Sequence, residues 1–350
     1  MPSVKTDIID YGMMIYRDML ADGTADGVPC FLRDFTLGMD VAGVDTDSVF
    51  SENFDSKLSA DCICAFQKFT GQDAVIGCTH SPAFIIEQFG GKMRYPKDKI
   101  PVPLSHPLSG IRDYGTLDTE FKGKILGAFE SYSIVKERMK GKADVVGNIT
   151  GPLTKAGVLA GVEEITMMME SDADCMNSLL KFCAEFTERI IERLSETADS
   201  FIVASATDNP DMFGIGVFRE YSARYMRGIC RKIHGIGSTV MFHPHGKFVG
   251  KEDYSADIMG MDIDCFHFAE NNDVSLVSEK FGGRMCVAGG TDIVPTLMSD
   301  PGRTESETLR YLNAFEGKQY VFMASCSLHR GVPLENVRRM CETVHGYNNQ

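Results

Sequence analysis

Two histidines separated by one residue follow an apolar segment in the second half of the chain. The segment 238–242 ends at His243, Pro244 and His245. Such a run is typical of a buried strand in a parallel sheet, and the two-residue period of a strand places both imidazoles on one face. Neutral imidazoles a few ångströms apart are common ligands of zinc and other transition metals. The spacing therefore predicts a pair of metal ligands, with two polar loop histidines as the alternative.

The elements that must position these histidines alternate regularly along the chain. Eight apolar segments alternate with helical patterns, and they end near residues 34, 79, 149, 207, 243, 270, 290 and 326. This alternation predicts an α/β fold, a (β/α)8 TIM barrel that forms a single domain over residues 1–350. Two doubly wound domains are the alternative, although no change of composition marks a boundary between them.

Small additions to the barrel are also expected. Residues 6–20 have the pattern of an amphipathic helix, and the stretch 89–108, with its four prolines, predicts a hairpin outside the main sheet. Residues 116–140 predict one long helix. Residues 163–196 predict a helix that is interrupted near Ser171.

Polar side chains follow the apolar segments at the points where barrel strands would end. The active sites of TIM barrels lie at the carboxyl ends of the strands, so these side chains are candidate site residues. In chain order they are Arg33, Asp34, His80, Asn148, Thr150, Asp208, Asn209, His243, His245, Glu270, Asp292 and Cys326. Because loops are polar in most proteins, the pattern as a whole carries more weight than any one residue in it.

The composition excludes several functional classes. A net charge of −14 argues against nucleic acid or an anionic membrane surface as the partner. The sequence has no apolar stretch of 18 residues and no apolar segment near its first residues, so neither a transmembrane helix nor a secretory signal is expected. The eleven cysteines form no Cys-x-x-Cys pair and mostly lie in apolar segments. Such cysteines indicate reduced thiols and a cytoplasmic protein.

Four segments of the sequence resemble motifs of the uroporphyrinogen decarboxylase superfamily, and the resemblance extends over nearly the whole chain. They are the Gly-Pro-Leu-Thr segment within 146–154, the Gly-Gly-Thr-Asp turn 289–292, the Pro-Leu-Glu-Asn-Val helix start 333–337 and the first-strand segment 29–35. The resemblance implies the barrel fold that the alternation of segments also predicts.

The chain is similar to one branch of this superfamily, the corrinoid-dependent zinc methyltransferases. That branch includes methylcobamide:coenzyme M methyltransferases and O-demethylase methyltransferases, and it has His-x-Cys after the fifth strand and Cys after the eighth. His243 and Cys326 match two of these ligands, and His245 stands where the branch usually has cysteine. The resemblance therefore implies zinc held by His243, His245 and Cys326.

The resemblance also implies a protein partner. The methyl group would be exchanged with cobalamin, and the sequence lacks the Asp-x-His-x-x-Gly signature of a cobalamin-binding module. We therefore expect the cobalamin to be carried by a separate corrinoid protein, with a small molecule as the second substrate. The sequence does not indicate the oligomeric state.

The charge of the ligand set indicates the kind of small molecule. Three protein ligands leave the fourth position of a catalytic zinc open. Two imidazoles and one thiolate give the site a formal charge of about +1, against about 0 for one imidazole and two thiolates, and a more positive zinc stabilises an oxygen anion better. We therefore expect a methoxylated donor and O-demethylation. Methylation of a thiol, as in the coenzyme M branch, is the alternative.

The remaining candidate residues receive roles as expectations. Catalytic roles in hydrogen bonding, proton transfer or metal ligation are expected of Asp208, Asn209 and Glu270. Glu270 could serve as a displaceable fourth ligand or as the partner of a ligand imidazole, and an ordinary loop acid is equally compatible with the sequence. Substrate contacts are expected of Arg33, His80, Asn148 and Asp292.

Two other functions stay open. Uroporphyrinogen decarboxylase works without a metal and uses an aspartate after its second strand, where His80 stands in this chain. Only Arg33 remains of the two arginines that the decarboxylases have near the first strand, and a substrate with many carboxylates needs several cations. The other possibility is a binding protein without catalytic activity on a barrel scaffold. Zinc content would distinguish both from the methyltransferase.

Overall fold

The structure, a computed structural model, describes residues 15–23, 25–50, 53–79 and 83–349. The strands in these ranges are β1 (Ala74–Ile76), β2 (Met93–Arg94), β3 (Val102–Pro103), β4 (Asp144–Thr150), β5 (Ser200–Ser205), β6 (Val240–Pro244), β7 (Cys265–His267), β8 (Cys286–Gly289) and β9 (Tyr320–Phe322). The α-helices are α1 (Ile15–Ala21), α2 (Leu37–Ala42), α3 (Thr46–Val49), α4 (Ser56–Thr70), α5 (Ala83–Gln88), α6 (Lys124–Met139), α7 (Pro152–Ala160), α8 (Val162–Ser171), α9 (Ala173–Leu194), α10 (Pro210–Val217), α11 (Arg224–Gly235), α12 (Ser255–Met259), α13 (Val274–Phe281), α14 (Pro301–Ala314) and α15 (Leu334–Asn348). Tyr114–Thr116 is a 3-10 helix, and Phe218–Ala223 and Ile293–Leu297 are π-helical turns.

One parallel sheet organises the chain. Its seven strands follow the order β1-β4-β5-β6-β7-β8-β9, and nearly every strand residue is buried. Strands of this kind are apolar along their length because helices cover the outside of the sheet and side chains fill the inside. The chain segment before β1 completes the circle, since Cys30 pairs with Phe322 of β9 and Phe31 pairs with Ala74 of β1. The predicted TIM-barrel class is confirmed.

The first predicted strand is the least regular part of the barrel. It pairs only through isolated bridges, the last of which joins Asp34 to Leu328. Asp34 then accepts hydrogen bonds from the backbone N–H groups of Leu37 (2.6 Å) and Gly38 (2.9 Å) and so caps the first turn of α2. A full strand over residues 29–35 was therefore a wrong prediction, because the chain turns into α2 as soon as the barrel is closed.

The additions outside the barrel agree only in part with the predictions. The hairpin is confirmed by the antiparallel pair β2 and β3. The interruption near Ser171 is confirmed too, because α8 ends there and the side chain of Asp172 caps α9 at the N–H of Cys175. The long helix was wrong at its start, since α6 begins only after Gly123, whose φ of 67° interrupts helical geometry. Of the predicted first helix, residues 6–14 lie outside the described residues, and α1 begins at Ile15.

Two further properties of the described chain bear on the composition. All eleven cysteines are free thiols, and most of them are buried. Within the described ranges, no helix combines the length and the apolar character needed to span a bilayer.

The loop after β9 is fastened to the loop that precedes α2. Backbone hydrogen bonds join the N–H of Leu328 to the carbonyl of Arg33 (2.8 Å) and the N–H of Phe35 to the carbonyl of Leu328 (2.7 Å). This pairing continues the closure of the barrel beyond its strands. It brings Arg33 and Cys326, which are far apart in sequence, to the same edge of the sheet.

Arg330 strengthens this fastening with its side chain. Its guanidinium lies 2.7 Å from the carboxylate of Asp40 at only 14% exposure, and it also donates to the carbonyl of Val44 and the hydroxyl of Thr46. Hydrogen bonds to a charged group that is largely withdrawn from water contribute more than those of exposed ion pairs. Arg330 therefore couples the loop that carries Cys326 to α2 and α3.

We expect Arg330→Ala to lower the free energy of unfolding by about 2 kcal/mol, because it leaves the carboxylate of Asp40 without its partner. Arg339→Ala is the matched control, since Arg339 is 46% exposed and lies 3.8 Å from Glu305, and its loss should cost less than about 1 kcal/mol. Urea unfolding of both variants measures the difference. Equal effects of the two substitutions would show that Arg330 does not fasten the loop.

Candidate metal centre

The three predicted metal ligands lie together at the carboxyl ends of the strands. His243 lies in β6, His245 is the first residue after that strand, and Cys326 lies in the loop after β9. One ligand atom of each residue lies within 4.8 Å of the other two, and Cys326 Sγ is 3.7 Å from His245 Nε2. Tetrahedral zinc with bonds of about 2.0–2.3 Å would separate such donors by roughly 3.5 Å. The donor types and their spacing therefore fit a zinc ion.

The ring of His243 is held with one nitrogen free. Its Nδ1 lies 3.3 Å from the carbonyl of His267, a hydrogen bond that requires the proton on Nδ1. Nε2 is buried and has no hydrogen-bond partner in the described part of the chain. Burial, followed by the charges near it, lowers the pKa of His243 well below its usual value, so the ring is neutral. A neutral imidazole anchored at Nδ1 with an open Nε2 is the usual form of a metal ligand.

His267 of β7, which is not among the candidate residues named from the sequence, supports His243. The two rings stack with centroids 4.2 Å apart, and His267 Nε2 lies 3.0 Å from the carbonyl of Ala324. Burial and the charge of Arg33 lower the pKa of His267 to about 3, so this ring is also neutral. Its place on β7, beside β6, was the available signal, because neighbouring strands present matching residues on one face.

The groups around Cys326 favour loss of the proton from its thiol. Its burial raises the pKa, but the hydrogen bond with His245 and the charge of Arg33 outweigh that effect and bring the pKa to about 7. The same hydrogen bond raises the pKa of His245 against the opposing effect of burial. Thiolate and imidazole therefore stabilise each other's charged forms before any cation is bound.

Arg33 adds an unusual charge to this site. It is only 4% exposed, and its Nη2 lies 3.9 Å from Cys326 Sγ. Nε and Nη1 are buried without a hydrogen-bond partner among the described residues. Burial lowers the pKa of Arg33, and the thiol of Cys326 partly offsets this. A guanidinium stays protonated even so, so the site contains a buried cation that no carboxylate in the described ranges neutralises.

Asp208 and Asn209, expected to be catalytic, have other partners. Asp208 is fully buried and accepts a hydrogen bond of 3.0 Å from the hydroxyl of Thr154. Its second oxygen lies beside the hydroxyls of Ser205 and Ser222 without hydrogen-bonding geometry, and burial raises the pKa of the carboxyl group. The side chain of Asn209 caps α10 at the N–H of Asp211. These contacts give both residues structural roles, and their catalytic roles stay predictions.

Glu270 and Asp292 line a cavity of about 300 Å³ together with Lys247, Asn272, Arg310 and Tyr311. Glu270 is exposed and is not part of the three-residue donor cluster within the described residues. Lys247, another residue of the lining, follows His245 by two residues, so the cavity lies beside the loop that leaves the cluster. The role of Glu270 as a fourth ligand remains a prediction.

Asn148 lies deeper in the barrel. Thr150 of β4 pairs with Ala204, and Ala204 pairs with His243. Asn148, two residues earlier on β4, therefore shares the face of His243 but is about 7 Å further from the strand ends. Its amide has no partner in the described chain, and it lines a second cavity of about 40 Å³, which has room for ordered water. A substrate contact by Asn148 stays a prediction, and His80 lies outside the described residues.

Known proteins share this fold and parts of this sequence. A methylated-thiol–coenzyme M methyltransferase of Methanosarcina mazei is 23% identical over 299 residues, which cover 82% of this chain and 76% of the relative. A methylcobamide:CoM methyltransferase of Methanosarcina barkeri is 22% identical over 221 residues, or 63% of either chain.

Solved structures agree with the barrel fold. A methyltransferase from Methanosarcina mazei superposes with a TM-score of 0.83 at 19% identity, covering 96% of this chain and 98% of its own. A B12-independent methionine synthase from Shewanella gives a TM-score of 0.55 at 12% identity, covering 83% of this chain and 88% of its own.

The sequence profile of one family extends over almost the entire chain. The uroporphyrinogen decarboxylase (URO-D) family matches residues 16–347, from α1 to the end of α15. The resemblance predicted from the strand-end motifs is therefore confirmed, and the chain belongs to the uroporphyrinogen decarboxylase family.

Proposed function

We propose that this protein is a metal-dependent methyltransferase that moves a methyl group between the corrinoid of a partner protein and a small molecule. The observation that carries the proposal is the cluster of His243, His245 and Cys326, whose donor atoms lie within 4.8 Å of one another at the mouth of the barrel. The names of the similar methyltransferases support the same class of reaction.

Each residue of the site would have a distinct role in the reaction. His243, His245 and Cys326 would hold zinc, and zinc bound there would supply Lewis acidity that stabilises negative charge on the reacting atom of the small molecule. The carbonyl of His267 orients the imidazole of His243. The guanidinium of Arg33 favours the thiolate form of Cys326. The proton of the thiol is thus released near neutral pH without a separate base.

A thiol is the better-supported small molecule. Arg33 is a buried cation that makes no ion pair with a carboxylate among the described residues, and such a charge favours a substrate that brings its own negative charge, as a thiolate does. One of the similar proteins is named for a methylated thiol and coenzyme M. The methoxylated donor expected from the charge of the ligand set stays a prediction, and an assay of methyl transfer with methoxyarenes tests it.

We expect the purified protein to contain about one zinc ion per chain, and we expect His243→Ala and Cys326→Ala to lose it, because each removes one of three donors. His329→Ala is the control, since His329 is exposed in the same loop as Cys326 but lies outside the donor cluster. Elemental analysis after dialysis measures the metal. Protein that remains free of zinc after zinc supplementation would contradict the proposal and favour the decarboxylase or binding-protein alternatives.

In protein stripped of metal, the thiol of Cys326 should react with iodoacetamide with a midpoint near pH 7, the pKa that His245 and Arg33 set. Reactivity rises with pH because only the thiolate attacks. Arg33→Met should shift the midpoint to higher pH, since it removes a charge that stabilises the thiolate. Cys64→Ser is the control for a half-buried thiol elsewhere. An unchanged midpoint in Arg33→Met would show that the guanidinium does not act on Cys326.

With methylcobalamin as donor, we expect methylation of 2-mercaptoethanesulfonate, followed by the change in cobalt absorbance as the methyl group leaves. His243→Ala should slow the reaction by more than about a hundredfold, because loss of a metal ligand exceeds the usual effect of losing an outer partner. In a second assay, methoxyarenes with cob(I)alamin as the methyl acceptor test the methoxylated donor. Demethylation of methoxyarenes without thiol methylation would support O-demethylation and contradict the thiol as substrate.

A further inference from the structure

The cavity beside the metal cluster has walls that are fixed by hydrogen bonds between loops. The buried amide of Asn272 accepts from the N–H of Phe248 (2.8 Å) and donates to the carbonyls of Gly246 (3.0 Å) and Ala269 (3.1 Å). These bonds join the loop after β6 to the loop after β7. The two walls therefore keep their spacing without a ligand.

The loop after β5 is joined to the same two walls. The carboxylate of Asp211, in the first turn of α10, accepts from the N–H of Lys247 (2.8 Å) and from the side-chain amide of Asn271 (2.9 Å). Three successive barrel loops thus share one hydrogen-bond network. A pocket built in this way is preorganised, which lowers the entropy lost on binding.

The charged groups of the cavity, in contrast, are largely without partners. Lys247 and Glu270 make no ion pair within the described ranges, and one carboxylate oxygen of Asp292 is buried without a hydrogen bond. Arg310 is already paired with Glu307 at 2.8 Å. The cavity therefore offers one ammonium and two carboxylates to a ligand.

The carboxylates of Glu270 and Asp292 line the same cavity. Burial raises the pKa of Asp292 to about 6, and the charge of Glu270 is the next contribution to that shift. Two acids that disfavour each other's ionisation are stabilised together by a cation placed between them. The cationic group of a ligand would therefore face Glu270 and Asp292, and its anionic group would face Lys247.

We propose that this cavity binds the amino-acid part of a small zwitterionic substrate, with Glu270 and Asp292 at its ammonium group and Lys247 at its acidic group. The volume of about 300 Å³ is at the small end of ligand pockets. It suits a molecule of amino-acid size. Because Lys247 follows His245 by two residues, the reacting end of the substrate would extend toward the metal cluster. The inference rests on the proposed function and names the substrate as a thiol amino acid.

The test is a matched series of sulfur-free ligands bound to metal-stripped protein and measured by calorimetry. L-2-Aminobutyrate has both charges, butyrate only the negative one and butylamine only the positive one. We expect the zwitterion to bind at least about tenfold more tightly than either single-charge ligand, because each charge-assisted hydrogen bond adds to discrimination. Equal binding of all three, or no binding of the zwitterion, would overturn the proposal.

Variants locate the ligand in the cavity. Asp292→Asn and Lys247→Gln should each weaken binding of L-2-aminobutyrate by about tenfold, the effect of one charge-assisted hydrogen bond. Glu279→Gln and Lys181→Gln make the same charge changes at exposed positions outside the cavity and should leave binding unchanged. Circular dichroism and unfolding midpoints confirm that each variant is folded. Unchanged binding in folded Asp292→Asn and Lys247→Gln would place the ligand elsewhere and overturn the proposal.

The substrate assay separates this inference from the proposed function. Methylation of L-homocysteine in preference to 2-mercaptoethanesulfonate supports both. Methylation of the sulfonate alone supports methyl transfer and overturns the zwitterion site. Binding of the sulfur-free zwitterion by a protein that takes up no zinc supports the cavity and contradicts the methyltransferase.

Discussion

Closure of the barrel depends on the short segment 29–35, which contacts both ends of the open sheet. Cys30 and Phe31 bridge β9 and β1, and the backbone of Leu328 then pairs with that of Arg33 and Phe35. Without this segment the sheet would keep two free edges. The same contacts place Arg33 beside Cys326, so the segment that closes the barrel also supplies a residue of the site.

The electrostatics of the site follow from burial. Imidazoles withdrawn from water lose their protons, which leaves His243 and His267 neutral. A thiol in the same surroundings would keep its proton, yet Cys326 has His245 on one side and Arg33 on the other. The result is a thiolate and a free imidazole nitrogen directed at the same small space. Such a donor set is complementary to a divalent cation, and the guanidinium of Arg33 adds a positive charge beside it.

The loops around this centre contain two kinds of polar side chain. One kind holds the loops together by hydrogen bonds, and the other kind lines the cavity. The polar side chains of Asn272, Asp211 and Arg330 bind to the loops that form the mouth of the barrel and hold them in place. Lys247, Glu270 and Asp292, which line the cavity between those loops, make no ion pair within the described part of the chain. A binding site needs both kinds of group, because an unpaired charge is useful only on a scaffold that does not collapse onto it.

The sequence by itself determined the class of fold and placed the three candidate donors at one edge of it. Alternation of apolar segments and helices predicts a parallel barrel, and parallel strands bring their carboxyl ends to one edge, so polar residues that end different strands must meet. That argument brought His243, His245 and Cys326 to one edge together with the other strand-end residues, and the resemblance to the zinc methyltransferases then implied that these three are the metal ligands. It could not sort the other strand-end residues, because the direction of a side chain beyond a strand depends on partners that lie far away in the sequence. Only the tertiary structure turned Asp208 toward Thr154, stacked His267 on His243 and placed the guanidinium of Arg33 beside Cys326.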